Sequence, residues 1–148
     1  MDAAPDPDES YLVSRLLYEA VEEQRRAFVM VAEEHGLTPP QARSILRLHE
    51  PTAMRALAEH LACDPSNVTG IADRLRVRGL VEPSPGSDRR IKLLALTPKG
   101  RKLRETIQRE LAKQTPSMTR LTPAERKQLV TLLGKLSGSA RTNGRVPE

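Results

Sequence analysis

A chain of 148 residues suits one compact domain, and its apolar share of 38% is lower than in most globular chains. Tyr11, Tyr18 and Phe28 are the only aromatics, which argues against single-strand binding on aromatic stacking platforms. The net charge of +5 hides an asymmetry: residues 1–53 carry net −5, residues 54–104 net +6 and residues 105–148 net +4.

A basic middle and C-terminal part suits a face that meets phosphates, although an arginine-rich soluble surface has the same composition. Cys63 is the single cysteine, so no disulfide forms within the chain. The first ten residues are acidic and polar rather than basic then apolar, and no apolar run approaches the roughly 20 residues of a membrane span. A cytoplasmic location, with no membrane contact, is expected.

Residues 1–9, acidic and proline-rich, are expected to be disordered. From Ser10, Leu12, Leu16, Leu17, Val21, Phe28 and Val31 recur at helical spacing and predict a long helix to about His35, stopped by Gly36. Thr38-Pro39 reads as an N-cap and first-turn proline for a second helix, which carries Ile45, Leu46 and Leu48 and ends before Pro51. Thr52-Ala53 is a short link or a single-bridge strand. A third helix over 54–62 turns Leu57, Ala58 and Leu61 inward, and Cys63 lies in the turn that follows.

Asp64-Pro65 starts a fourth helix running to about Arg78, with Val68, Ile71, Ala72 and Leu75 inward and Gly79 as its stop. Residues 80–82 and 91–96 predict the two strands of a hairpin around the polar tip 83–90. Thr97-Pro98 opens a fifth helix with Leu103, Ile107 and Leu111 on one side, broken or kinked at Pro116. Thr122 and Glu125 fit a capping box for a last helix carrying Leu129, Leu132, Leu133 and Leu136, before a flexible tail from 137.

Two short helices joined by a tight turn, followed by a hairpin, make a winged helix-turn-helix lobe. The fold class is mainly α with a small β-hairpin wing. A helix fits the major groove, and residues in its N-terminal half reach base edges. Ser66, Asn67, Thr69 and Gly70 lie away from the apolar side of the fourth helix. Their small polar side chains bond bases or phosphates without holding the helix off the groove. Gly70 costs about 1 kcal/mol in a helix relative to Ala. Close approach to DNA explains it, and so does tight packing against another helix. At the tip, Asp88, Arg89, Arg90 and Lys92 suit a narrow minor groove, whose negative potential attracts arginine.

The stretch 57–100 resembles the MarR family of bacterial transcriptional regulators, with its wing pattern in Asp88, Arg90, Leu94, Leu96 and Thr97. Upstream, residues 37–41 resemble the start of the family's second helix. The resemblance implies one domain over 10–136, with helices at 10–36 and 98–136 forming a dimerisation region around the lobe at 37–97. It implies a homodimer that binds pseudo-palindromic double-stranded DNA, most often as a repressor. It also implies that Arg90 enters the minor groove, that Asp88 orients it, and that Arg74 lies near phosphate or wing. Independently, apolar stripes on the outer helices have few other places to be buried.

Many members of this family respond to a small molecule. Tyr11, Tyr18, His35 and Arg47 are candidate linings of such an effector site, and core packing accounts for the aromatics equally well. Cys63 reads as a packed thiol. His60 and Cys63 share a helical spacing, but no CxxC or HxxxH pattern accompanies them, and no metal or cofactor is expected. No nucleophile, P-loop or dinucleotide motif marks the chain as an enzyme. The competing readings are a winged-helix module that binds protein instead of DNA and, more distantly, a small-molecule carrier or enzyme.

Overall fold

The computed structural model describes residues 6–86, 92–115 and 119–137. It divides into two compact units, residues 1–114 and 115–148. The first unit contains α1 (Pro7–Glu34), α2 (Pro39–Arg47), β1 (Thr52–Ala53), α3 (Met54–Leu61), α4 (Pro65–Val77), β2 (Val81–Pro85), β3 (Lys92–Leu96) and α5 (Pro98–Gln114). The second contains α6 (Pro123–Leu136).

Helix α1 begins three residues before the expected Ser10, so residues 7–9 are helical and not disordered. The Asp6 carboxylate accepts the Asp8 N–H at 3.0 Å, and Pro7 supplies a pre-set φ at the first position. Only its C-terminal part is buried, at Ala27, Val31 and Ala32. The N-terminal half leaves Leu12, Val13, Leu16 and Val21 exposed. Gly36 ends the helix region at φ +62°, a conformation that side chains disfavour.

The Thr38 hydroxyl and the Gln41 side chain cap α2 reciprocally. Ile45 and Leu48 of this segment join Leu57 of α3, Leu75 of α4, Leu80 ahead of β2, and Ile107 of α5 in one buried cluster. Burying each such side chain contributes roughly 1.5–3 kcal/mol.

The sheet has the antiparallel order β1-β3-β2. The link at Thr52-Ala53 is a strand, with Thr52 opposite Leu94 and Ala53 opposite Leu93. The outgoing wing strand is longer than expected. It continues from Val81 to Pro85, with Pro83 opposite Leu94 and Pro85 opposite Lys92. Prolines persist in β2 because it is an edge strand, where a missing N–H costs no ladder bond.

Helix α5 starts against residue 80. A Cβ placed on Gly100 would sit 2.0 Å from the Leu80 carbonyl oxygen, closer than any side chain tolerates. Only glycine lets the helix approach this far.

In the second unit, Thr122 and Glu125 form the anticipated capping box. The Glu125 carboxylate accepts the Thr122 N–H at 2.7 Å and the Thr122 hydroxyl at 2.8 Å. These bonds, the backbone one first, hold its pKa below the ordinary carboxylate value. Helix α6 buries none of its residues, and Val130, Leu132, Leu133 and Leu136 are exposed.

Two outcomes are expected. Gly100→Ala destabilises the protein by about 3 kcal/mol or more, read from urea unfolding, because backbone must shift to relieve the contact. Glu125 titrates with a depressed folded pKa, so its capping contribution is complete above the unfolded value and is lost as pH falls through the folded one. The helical signal of α6, followed by NMR amide shifts, therefore falls during acidification over that range. In Glu125→Gln it does not.

Candidate nucleic-acid interface

The helix-turn-helix is α3, the turn 62–64 and α4. Leu57, Ala58 and Leu61 seat α3 on the core. The turn is tight because Ala62 adopts a left-handed conformation, φ 50°, and the Cys63 N–H returns to the Ala58 carbonyl at 3.2 Å. Asp64 takes the N-cap position of α4, although its side chain makes no capping bond, and Pro65 follows.

Val68, Ala72 and Leu75 bury one side of α4. Ser66, Asn67, Thr69, Gly70 and Arg74 are all exposed on the rest of the helix, as the spacing predicts. Ser66, Gly70 and Arg74 fall four residues apart and form one stripe. Thr69 donates its hydroxyl to the Pro65 carbonyl at 3.2 Å, which leaves the oxygen free to accept. A Cβ on Gly70 would meet nothing within 4 Å. Tight packing against the described residues therefore does not explain that glycine. Asp73 pairs with Arg76 at 3.2 Å, while Arg74 enters no ion pair among the described residues.

Asp88, Arg89 and Arg90 lie outside the described residues, as does the side chain of Lys92. The backbone of Lys92 opens β3 and so belongs to the wing.

The C-terminal end of α4 is held by groups that the sequence pattern did not single out. Gly79, at φ +69°, lets the Leu80 N–H close on the Leu75 carbonyl at 3.0 Å. The Leu80 carbonyl then accepts the Thr97 N–H at 3.1 Å. The Thr97 hydroxyl donates to the Gly79 carbonyl at 2.7 Å and accepts the Gly100 N–H at 3.0 Å. One hydroxyl thus caps α5 and pins the end of α4. Lys99 adds a bond to the Arg78 carbonyl at 2.9 Å. The Arg78 guanidinium donates to the Gly36 and His35 carbonyls at 2.8 and 2.9 Å, which ties α4 to the end of α1. Residues 78 and 36 are too far apart in sequence for any periodicity to reveal that bond.

The four candidate effector residues do not converge. Tyr11 and Tyr18 are about two-thirds exposed, so core packing among the described residues does not account for them. Tyr11 precedes His35 by 24 positions of one helix, about 36 Å at 1.5 Å per residue. His35 bonds Glu110 of α5 at 2.6 Å and lines a cavity of about 330 Å³. Arg47 bonds His60 at 2.7 Å and lines a different cavity of about 310 Å³ with Arg43, Leu46, His60 and Leu61. Cys63 lines a third, beside Arg55 and Glu59, and His60 is not part of it.

Comparison with known proteins agrees with this geometry. A family model described as a helix-turn-helix family matches residues 3–147. The chain is 32% identical over 139 residues to the HTH-type transcriptional repressor NicR of Pseudomonas putida, covering 89% of this chain and 86% of NicR. It superposes on Bordetella bronchiseptica BpsR, whose DNA binding is regulated by 6-hydroxynicotinic acid, with TM-score 0.62 and 32% identity over 84% of this chain and 92% of that one. It also superposes on the repressor CouR, known from Rhodococcus jostii RHA1, bound to a 23-mer DNA duplex, with TM-score 0.67 and 25% identity over 92% and 99% of the two chains.

Thr97→Val keeps the side-chain shape and removes both hydroxyl bonds. It is expected to cost about 1–2 kcal/mol in urea unfolding. A loss below a few tenths of a kcal/mol would show that the hydroxyl does not hold the junction.

Proposed function

Because the chain belongs to the MarR family of helix-turn-helix transcriptional regulators, we propose that it is a homodimeric repressor reading two half-sites of a pseudo-palindromic promoter site. The observation that carries this reading is the exposed stripe of Ser66, Gly70 and Arg74 on a helix whose opposite side is buried. The open space at Gly70 supports close approach of a groove wall there. Ser66, Asn67, Thr69 and Gly70 meet bases or nearby phosphates, Arg74 meets phosphate, and Arg89 and Lys92 add to the phosphate contacts of the wing. Arg90 enters the minor groove, oriented by Asp88.

Dimerisation is supported by unpartnered apolar surface on both outer elements. Leu12, Val13, Leu16 and Val21 are exposed on α1, and Val130, Leu132, Leu133 and Leu136 on α6. A second copy covers such surface and sets two lobes about one DNA turn apart. The acidic first third and the basic last third add attraction between copies. A two-fold pair also gives Tyr11 and Tyr18 a place at or near an interface. Release from DNA by a small-molecule effector is part of the proposal, on the strength of the regulated DNA binding described for BpsR. A regulator of this type works where the chromosome is, in the cytoplasm. Among the described residues, no helix is long and apolar enough to cross a membrane.

The wing assignment is tested by gel shift on promoter DNA. Arg90→Ala is expected to weaken binding by about 1–3 kcal/mol, and affinity is expected to fall steeply with salt because several phosphates are neutralised. Unchanged affinity contradicts the role of Arg90. A flat salt titration favours the protein-binding module instead.

A further inference from the structure

No residue of α2 or α3 has a part in the DNA contacts above, yet these two helices hold a cluster of nitrogen donors of their own. Arg43 and Arg47 stand four residues apart and so share a face of α2. With Leu46, and with His60 and Leu61 from the last turn of α3, they line a cavity of about 310 Å³. Arg43, Arg47 and His60 are all exposed. Among the described residues neither arginine joins an ion pair, and Arg43 makes no side-chain hydrogen bond. Glu59, the carboxylate beside His60 in the sequence, is taken by Arg55 at 3.5 Å.

Arg47 Nη2 lies 2.7 Å from His60 Nε2. A guanidinium only donates, so the imidazole accepts at Nε2 and carries its ring proton on Nδ1. The negative C-terminal ends of α2 and α3 attract cations, which accounts for a basic residue in each last turn. It does not account for Arg43, one turn further in, nor for a neutral imidazole held against a guanidinium. That bond steadies the Arg47 fork and leaves the His60 Nδ1–H as one more donor. Two guanidinium groups and an imidazole N–H gather at one cavity without a carboxylate. Their complement is an anion with several acceptor oxygens.

We propose that this cavity seats a phosphate of the DNA backbone, next to the bases met by α4. Both α2 and α3 pack against α4. His60 is joined to Ser66 through the tight turn 62–64, so the cluster belongs to the same end of α4 as Ser66 to Gly70. In a helix-turn-helix the first helix crosses the backbone while the second enters the groove. A small organic acid is a poorer occupant. All three donors are exposed and only Leu46 and Leu61 add apolar wall, so little of its body would leave water. A phosphodiester is brought into place by the contacts on either side of it. The site adds affinity and fixes register without reading sequence. It rests on the DNA-reading role proposed above.

Gel shifts with Arg43→Gln and Arg47→Gln, on promoter DNA and on a scrambled duplex, test the site. Each variant is expected to bind both duplexes about fivefold or more weakly. Each is also expected to lower the slope of log affinity against log salt by about 0.9 for each lobe engaged. The melting temperature of Arg43→Gln is expected to match that of the parent, which separates lost binding from lost folding. An unchanged slope in either variant overturns the site, and an acidic protein surface is then the better partner for the cluster. A loss on promoter DNA alone overturns it as well, because a phosphate carries no sequence. Calorimetry with inorganic phosphate separates the two sources of the anion. Saturable binding that Arg43→Gln abolishes, with the DNA slope unchanged, assigns the cavity to free phosphate and overturns the backbone contact. If the parent chain itself fails to bind promoter DNA, the DNA-reading role falls and the site falls with it. If the parent binds and the variants keep its slope, the site falls alone.

Discussion

The approach of α5 to the Leu80 carbonyl is the contact on which the reading lobe depends. Without a side chain at Gly100, the first turn of α5 lies directly against the residue that links α4 to the wing. The Thr97 hydroxyl then reaches both the Gly79 carbonyl and the Gly100 N–H. The end of α4, the root of β2 and the start of α5 become one unit. Arg78 extends it to the end of α1. A helix fixed at its C-terminal end presents its N-terminal half in a defined direction, which reading a groove requires.

The same junction explains how the division of charge serves a regulator. The acidic residues are concentrated in the first third of the chain, and the basic residues in the lobe and beyond. Within the lobe, the cations divide into two sets. Arg74 is exposed on the stripe with Ser66 and Gly70. Arg78, Lys99 and Lys102 gather instead around a cavity at the other end of the helix. The first set suits phosphate. In the second, Arg78 and Lys99 cover the carbonyls at helix ends.

Much of this was legible in the sequence because caps and breakers act locally. Gly36 and Gly79 mark helix ends by the positive φ they adopt, and Thr38 and Thr122 mark starts by their capping boxes. Apolar spacing placed Val68, Ala72 and Leu75 inward and so exposed the stripe of Ser66, Gly70 and Arg74. The first helix was read three residues short because proline and acidic residues suggest disorder, although they also make a good first turn. The wing strand was read short because Pro83 and Pro85 look like breakers, and edge position is invisible without the sheet. The bonds of Arg78 to residues 35 and 36, and the closeness of Gly100 to Leu80, join positions distant in sequence and have no local pattern. Tyr11, Tyr18, His35 and Arg47 share only a chemical type, and within one chain His35 and Arg47 line different cavities.

The central claim is that DNA meets the N-terminal half of α4. An NMR titration of the isotope-labelled protein with a duplex from its own promoter tests it most directly. The account predicts that the largest amide shift changes fall at residues 66–70, with a second set in the wing. Changes confined to α1 and α6, with residues 66–70 unmoved, would contradict it.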